Sequence, residues 1–98
     1  MRLIFEWDTN KAKANLIKHG IDFEEAKTVF ADDLTLTFRD DLHSDNENRY
    51  LSIGMSANGR ILLVVHTEED EIDSQIVIRI ISSRKATSSE RKIYEKSR

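Results

Sequence analysis

The chain has 98 residues, 39% of them hydrophobic and 34% charged, with a net charge of −3 and no cysteine. That length suits one domain, residues 1–98, with a modest core and no room for a second domain or a large cofactor pocket, and the missing thiols exclude disulfide and thiolate–metal frameworks. The longest apolar run, Ile61 to Val65, is far short of the ~20 residues of a membrane helix, and the N-terminus has no leader-like apolar stretch, so a cytoplasmic protein without a membrane partner is expected.

Arg2-Leu3-Ile4-Phe5-Glu6 reads as a short strand. Asp8 is placed to cap a helix from about Thr9 to His19, because its carboxylate accepts first-turn amides and suits the positive helix end. Ala12, Leu16 and His19 share one face of this helix, and Gly20 follows as a residue that enters the left-handed conformation without Cβ strain. Asp22, with Glu25 three residues on, has capping-box spacing. A second helix therefore starts there, with Phe23, Ala26, Val29 and Phe30 as its apolar face and its end near Ala31-Asp32-Asp33.

From Leu34 the period changes to two. Leu34, Leu36 and Phe38 alternate with Thr35, Thr37 and Arg39, residues 40–48 form a polar loop, and Arg49 to Ser56 is the next strand. Asn58-Gly59 suits a turn. Arg60 to Thr67 and Gln75 to Ser83 are apolar on both faces, as central strands are, and an acidic loop from Glu68 to Ser74 separates them. Thr87 and Glu90 make a capping box for a last helix to about Lys96. The order β-α-α-β-β-β-β-α, with short connections, defines an α+β domain: a mostly antiparallel sheet packed by helices on one face.

Charge is unevenly distributed. Residues 1–20 hold four basic and two acidic side chains, residues 21–78 hold four and fourteen, and residues 79–98 hold seven and two. A basic C-terminal region attracts polyanions, although a solvated helix face has the same composition.

Two blocks carry a family resemblance. The first is Phe5-Glu6-Trp7-Asp8 with Lys11-Ala12, Asn15, Lys18-His19-Gly20 and Phe23-Glu24-Glu25-Ala26; the second is Arg79-Ile80-Ile81-Ser82, Arg84-Lys85-Ala86-Thr87, Glu90-Arg91 and Tyr94-Glu95. Glu47-x-Arg49, Ile53-Gly54 and Gly59-Arg60 lie between them in the expected order. The chain thus resembles the BrnT toxins, halves of type II toxin–antitoxin pairs. The resemblance implies a small RelE-like ribonuclease domain that cleaves RNA and inhibits translation and growth. It also implies a BrnA-like antitoxin that covers the toxin and carries the DNA-binding part, so that operator DNA is reached only through the antitoxin. One stretch departs from the pattern: where many members carry an arginine after the third strand of the sheet run, this chain has His66-Thr67-Glu68-Glu69-Asp70.

Metal-independent RNA cleavage needs a base for the 2′-hydroxyl, cations for the charge growing on phosphorus, and an acid for the leaving 5′-oxygen. Arginine suits the cationic role and histidine the proton transfers. Arg79 interrupts the apolar strand Ile76-Val77-Ile78-Arg79-Ile80-Ile81, so it faces solvent, a ligand, or an ionic partner such as Glu47. Arg49 is a phosphate cation or a surface partner of Glu47, and Glu47 itself is a candidate base or a solvated carboxylate. Arg84, with Lys85, ends the last strand at a helix N-terminus, where phosphate is favoured; the other reading is a solvated strand end. His19 is a proton carrier or a charge suited to a helix C-terminus, and His66 a proton carrier or a half-buried sheet residue. Lys18, Lys85, Arg91 and Trp7 are candidates for RNA binding, Trp7 by stacking on a base, although Trp7 and Tyr94 also fit as packing residues. His43 lies among Asp40, Asp41, Asp45 and Glu47 without metal-ligand spacing, so neither a metal nor another cofactor is expected. A non-catalytic module that docks a partner helix on an open sheet face is the competing reading. An enzyme would gather Arg49, Arg79, Arg84 and a histidine on one surface, whereas a docking module would scatter them around an apolar groove.

Overall fold

The computed structural model describes residues 2–43, 48–71 and 73–97. Each helix begins where a side chain caps it. Asp8 Oδ1 accepts from the Lys11 amide at 3.0 Å and starts α1 (Thr9–His19). Asp22 Oδ1 accepts from the Glu25 amide at 2.7 Å and starts α2 (Phe23–Thr28), which tightens into a 3₁₀ turn over Val29–Ala31. Thr87 and Glu90 exchange side-chain and backbone hydrogen bonds to start α3 (Ser88–Lys96). Gly20 ends α1 with φ of 71°, in the region that only glycine enters without Cβ strain.

The strands are β1 (Arg2–Glu6), β2 (Leu36–Arg39), β3 (Arg49–Met55), β4 (Ile61–Glu71) and β5 (Gln75–Lys85), and they form a five-stranded sheet in the order β1-β5-β4-β3-β2. All neighbours are antiparallel except β1, which runs parallel to β5 with Glu6 opposite Arg79. The α+β architecture with a mostly antiparallel sheet is as expected from sequence.

Three details correct the sequence reading. The acidic run after Thr67 is not a loop from Glu68 to Ser74: β4 continues to Glu71, paired in a hairpin with Gln75 to Ile78. The positive φ of Asp73 and Ser74 (71° and 61°) lets the chain reverse that tightly. β2 begins at Leu36 rather than Leu34, because Asp32 Oδ1 accepts from the Leu34 amide and holds a turn there. The helices, finally, do not share one face. Ile21, Phe23, Ala26 and Val29 pack with Leu62, Val64, Ile78 and Ile80, which puts α1 and α2 on one side. Tyr94 of α3 packs with Ile53 and Leu63 on the other.

Polar side chains join the layers. Asn15, not Leu16, is the buried residue of α1, and Leu16 is exposed. The Asn15 side-chain amide donates to Ile21 O and Ser83 O, both at 2.8 Å, and its Oδ1 accepts from Ser83 N at 3.0 Å. β1 pairs with β5 only as far as Arg79, so Asn15 supplies partners to a stretch of β5 that β1 has left behind. At another corner the Tyr94 hydroxyl donates to Asp32 Oδ2 at 2.6 Å, and the same oxygen accepts from the Met55 amide at 2.8 Å. Glu25, buried, accepts from Ser56 Oγ and from the Arg60 guanidinium, which ties α2 to the β3–β4 turn.

Candidate active site

Paired residues on neighbouring strands point to the same side of a sheet. Arg49 is paired with Thr67, Thr67 with Arg79, and Arg79 with Glu6. These four residues therefore form one row across β3, β4, β5 and β1. Leu51, two residues beyond Arg49 on the same face, belongs to the cluster that packs under α3. The row thus shares a face with α3 but lies at the far end from the Tyr94 contact with Ile53 and Leu63.

Arg79 is exposed, and its Nη1 stands 3.6 Å from Glu6 Oε2. Its ionic neighbour is thus Glu6, brought in by the parallel pairing; Glu47 lies outside the described residues. Arg49 is half-buried, and Thr67, between the two arginines, is buried. Next to the row, Phe38 pairs with Leu51 and is 45% exposed, an aromatic on an otherwise polar margin.

Arg84 also lies on this face, opposite Leu63, but its guanidinium makes a two-pronged pair with Glu90, Nη1–Oε1 at 2.8 Å and Nη2–Oε2 at 3.0 Å. Glu90 also receives the Thr87 amide, so Arg84 buttresses the cap of α3. The pairing with Arg84 pushes the Glu90 carboxyl below its usual range. Lys85 and Arg91 come together in another place, lining a cavity of about 380 Å³ with Arg60 and Glu95.

The histidines divide. His66 is opposite Ile80, a core residue of the α1/α2 side, so it lies on the other face from Arg79. It is fully buried, edge-on to Phe30 at 4.9 Å and stacked on Tyr50 at 5.9 Å. Its Nε2 shares a 2.7 Å hydrogen bond with Ser52 Oγ, which in turn bonds Thr37 Oγ1 at 2.7 Å. Burial pushes its pKa down to about 4. His19 ends α1 in the helical layer beside exposed Lys18. Trp7 meets Phe23 edge-on at 5.9 Å at the border of the core, a packing position. Among the described residues, no group of three or more His, Cys, Asp or Glu is arranged to hold a metal ion, and no helix is long and apolar enough to cross a membrane.

The structure therefore brings Arg49 and Arg79 together, places Arg84 on the same face but engaged, and puts His66 and His19 elsewhere. Glu6 and Thr67 were missed because their place depends on strand pairing; the two-residue period of β2 did carry the signal for Phe38.

The fold has a solved counterpart. The crystal structure at 1.1 Å of the Brucella abortus ribonuclease toxin BrnT aligns with a TM-score of 0.60 and 23% identity, over 90% of this chain and 100% of that one. No curated protein of established function matches the sequence. A family model described as the ribonuclease toxin BrnT of type II toxin–antitoxin systems matches residues 7–90, and the chain belongs to that family.

Proposed function

We propose that this protein is a cytoplasmic, metal-independent endoribonuclease whose cutting of RNA arrests translation and growth, and that a BrnA-like antitoxin neutralises it. The family description supplies the reaction class and the existence of an antitoxin. The observation that carries the site is the row Glu6–Arg79–Thr67–Arg49.

Adjacent strands lie about 4.8 Å apart, so the Cα atoms of Arg49 and Arg79 are roughly 10 Å apart, and two long side chains reach one phosphate from both sides. Both guanidinium forks then neutralise the charge that builds on phosphorus. Glu6, beside Arg79, takes the proton of the 2′-hydroxyl. The 2′-oxygen bonds to phosphorus, the bond to the 5′-oxygen breaks, and the products are a 2′,3′-cyclic phosphate and a free 5′-hydroxyl. Lys85 and Arg91 hold flanking phosphates, Lys18 adds positive potential, and Arg84 acts by fixing α3. His66, His19 and Trp7 support the scaffold. The antitoxin covers the arginine face, and the complex reaches its operator DNA through the antitoxin.

The test is cleavage of RNA by purified protein in chelator. Arg79→Ala should lower the rate roughly 10²–10³-fold, and Arg79→Lys should recover little, since an ammonium lacks the two-pronged fork. Folding should survive, because an exposed ion pair contributes only about 0–1 kcal/mol. Cleavage that vanishes in chelator and returns with a divalent ion would overturn metal independence. Normal cleavage by Arg79→Ala would remove Arg79 from the site. Undiminished cleavage in a saturated antitoxin complex would overturn masking.

A further inference from the structure

The row supplies cations and a base but no group to protonate the leaving oxygen. The geometry points to His43, positioned by Asp40, as that general acid; this inference rests on the ribonuclease reading and completes it.

Both residues come from the segment just after β2. The antiparallel ladder of β2 and β3 pairs Arg39 with Tyr50, and the next step, Asp40 N donating to Arg49 O at 2.9 Å, puts Asp40 opposite Arg49. Side chains alternate along an extended chain, so Asp40 shares a face with Phe38 and with Arg49, the face of the arginine row. The chain then turns through a short 3₁₀ helix, Asp41–His43, closed by His43 N donating to Asp40 O at 3.2 Å. That turn folds the imidazole back, so that Nδ1 lies 3.0 and 3.1 Å from the two Asp40 carboxylate oxygens. The Asp40 side chain is 13% exposed and that of His43 62%. A sheltered carboxylate thus grips one ring nitrogen of a histidine that stays open to solvent, as in a catalytic dyad in which the acid fixes ring and tautomer and Nε2 exchanges the proton.

Its place along the row matches the chemistry. In-line displacement puts the attacking and leaving oxygens on opposite sides of phosphorus. Glu6 lies beyond Arg79 at one end of the row and the Asp40–His43 pair beyond Arg49 at the other. With the phosphate held between the arginines, Glu6 accepts the proton of the 2′-hydroxyl. His43 Nε2 gives its proton to the departing 5′-oxygen, and solvent returns one afterwards. The other charged group of this segment with a defined contact, Asp41, is occupied by Arg39 Nε at 2.8 Å.

The test compares two substrates: an oligoribonucleotide with one cleavable linkage, and the same strand with sulfur in place of the leaving 5′-oxygen. A thiolate departs without protonation, so loss of a general acid slows only the oxygen substrate. His43→Ala should lower kcat on the oxygen substrate about 10²–10⁴-fold, leave KM unchanged, and cleave the sulfur substrate at nearly the wild-type rate. Asp40→Asn should show the same pattern at smaller amplitude. Arg79→Ala, which acts on the phosphate, should slow both substrates. If His43→Ala cleaves the oxygen substrate as wild type does, or loses activity equally on both, the assignment is overturned while the ribonuclease reading stands. If the wild-type protein cleaves neither substrate, both fall. Thermal melts of the same samples separate misfolding from lost chemistry, and a rate that falls only with the folded fraction also overturns the assignment.

Discussion

Asn15→Ala should be among the most destabilising single changes in this chain, although the residue lies in a helix and looks like an ordinary polar position. Removing its amide strands three buried backbone groups: the carbonyls of Ile21 and Ser83 and the amide of Ser83. Each buried polar group left without a partner costs about 1–3 kcal/mol. Part of this is recovered by relaxation and by the better helix propensity of alanine, so a net loss of about 3–5 kcal/mol is expected. A domain of this size has about 5–15 kcal/mol to lose and shifts about 4–8 °C per kcal/mol, so the melting temperature should fall by about 12–40 °C. Urea titrations followed by circular dichroism, with exposed Lys13→Ala as the control on the same helix, measure the loss, and the slope with denaturant should not change. Amide exchange at Ser83 should quicken more than at Val64, its ladder partner on β4. An Asn15→Ala variant within about 1 kcal/mol of wild type would show that water replaces the side chain without penalty, and would refute the view that Asn15 stands in for a missing strand.

Two further outcomes follow from packing and titration. A Cβ at Gly54 would overlap Thr35 Oγ1 and sit 2.8 Å from Val29 Cγ1, so Gly54→Ala should cost about 1–3 kcal/mol by denaturant titration; an unchanged midpoint would mean that Thr35 and Val29 move aside freely. For His66 the pKa is about 4 in the folded chain against an ordinary 6.5, so the unfolded chain takes up the proton first. Its contribution is therefore full above about pH 6.5 and is lost as pH falls towards 4, by up to about 3 kcal/mol. The ring C–H resonances of His66, followed by NMR, should titrate near 4; a midpoint near 6.5 would contradict the burial argument.

The helix boundaries were legible because capping is local. Asp8, Asp22 and Thr87 lie within three residues of the amides they serve, and Gly20 needs no partner beyond its own turn. The strands of the antiparallel run were legible as well, from the two-residue period and the short turns. What escaped depends on contacts between distant parts of the chain. Local pattern does not say that β1 lies beside β5, so Glu6 could not be placed against Arg79, and Glu47 was named in its place. The run Glu68 to Glu71 has the composition of a loop, yet the partner strand in the hairpin makes it β structure. The apolar positions of α3 do not say which side of the sheet they will cover. His43 was visible only as one member of an acidic segment, because its pairing with Asp40 depends on a 3₁₀ turn that no spacing rule marks.

The row Glu6–Arg79–Thr67–Arg49 also bears on when the proposed site is assembled. Its members come from four strands, and one of its outer pairs, Glu6–Arg79, joins β1 to β5. A polypeptide still being synthesised has no Arg79 until β5 has been made, and β1 has no neighbour in the sheet until β5 arrives. Contacts so remote in sequence are also among the slowest to form. On the proposed reading, cleavage that depends on this row would begin only once β5 has been made and has docked beside β1, and an antitoxin would have that interval in which to meet its target.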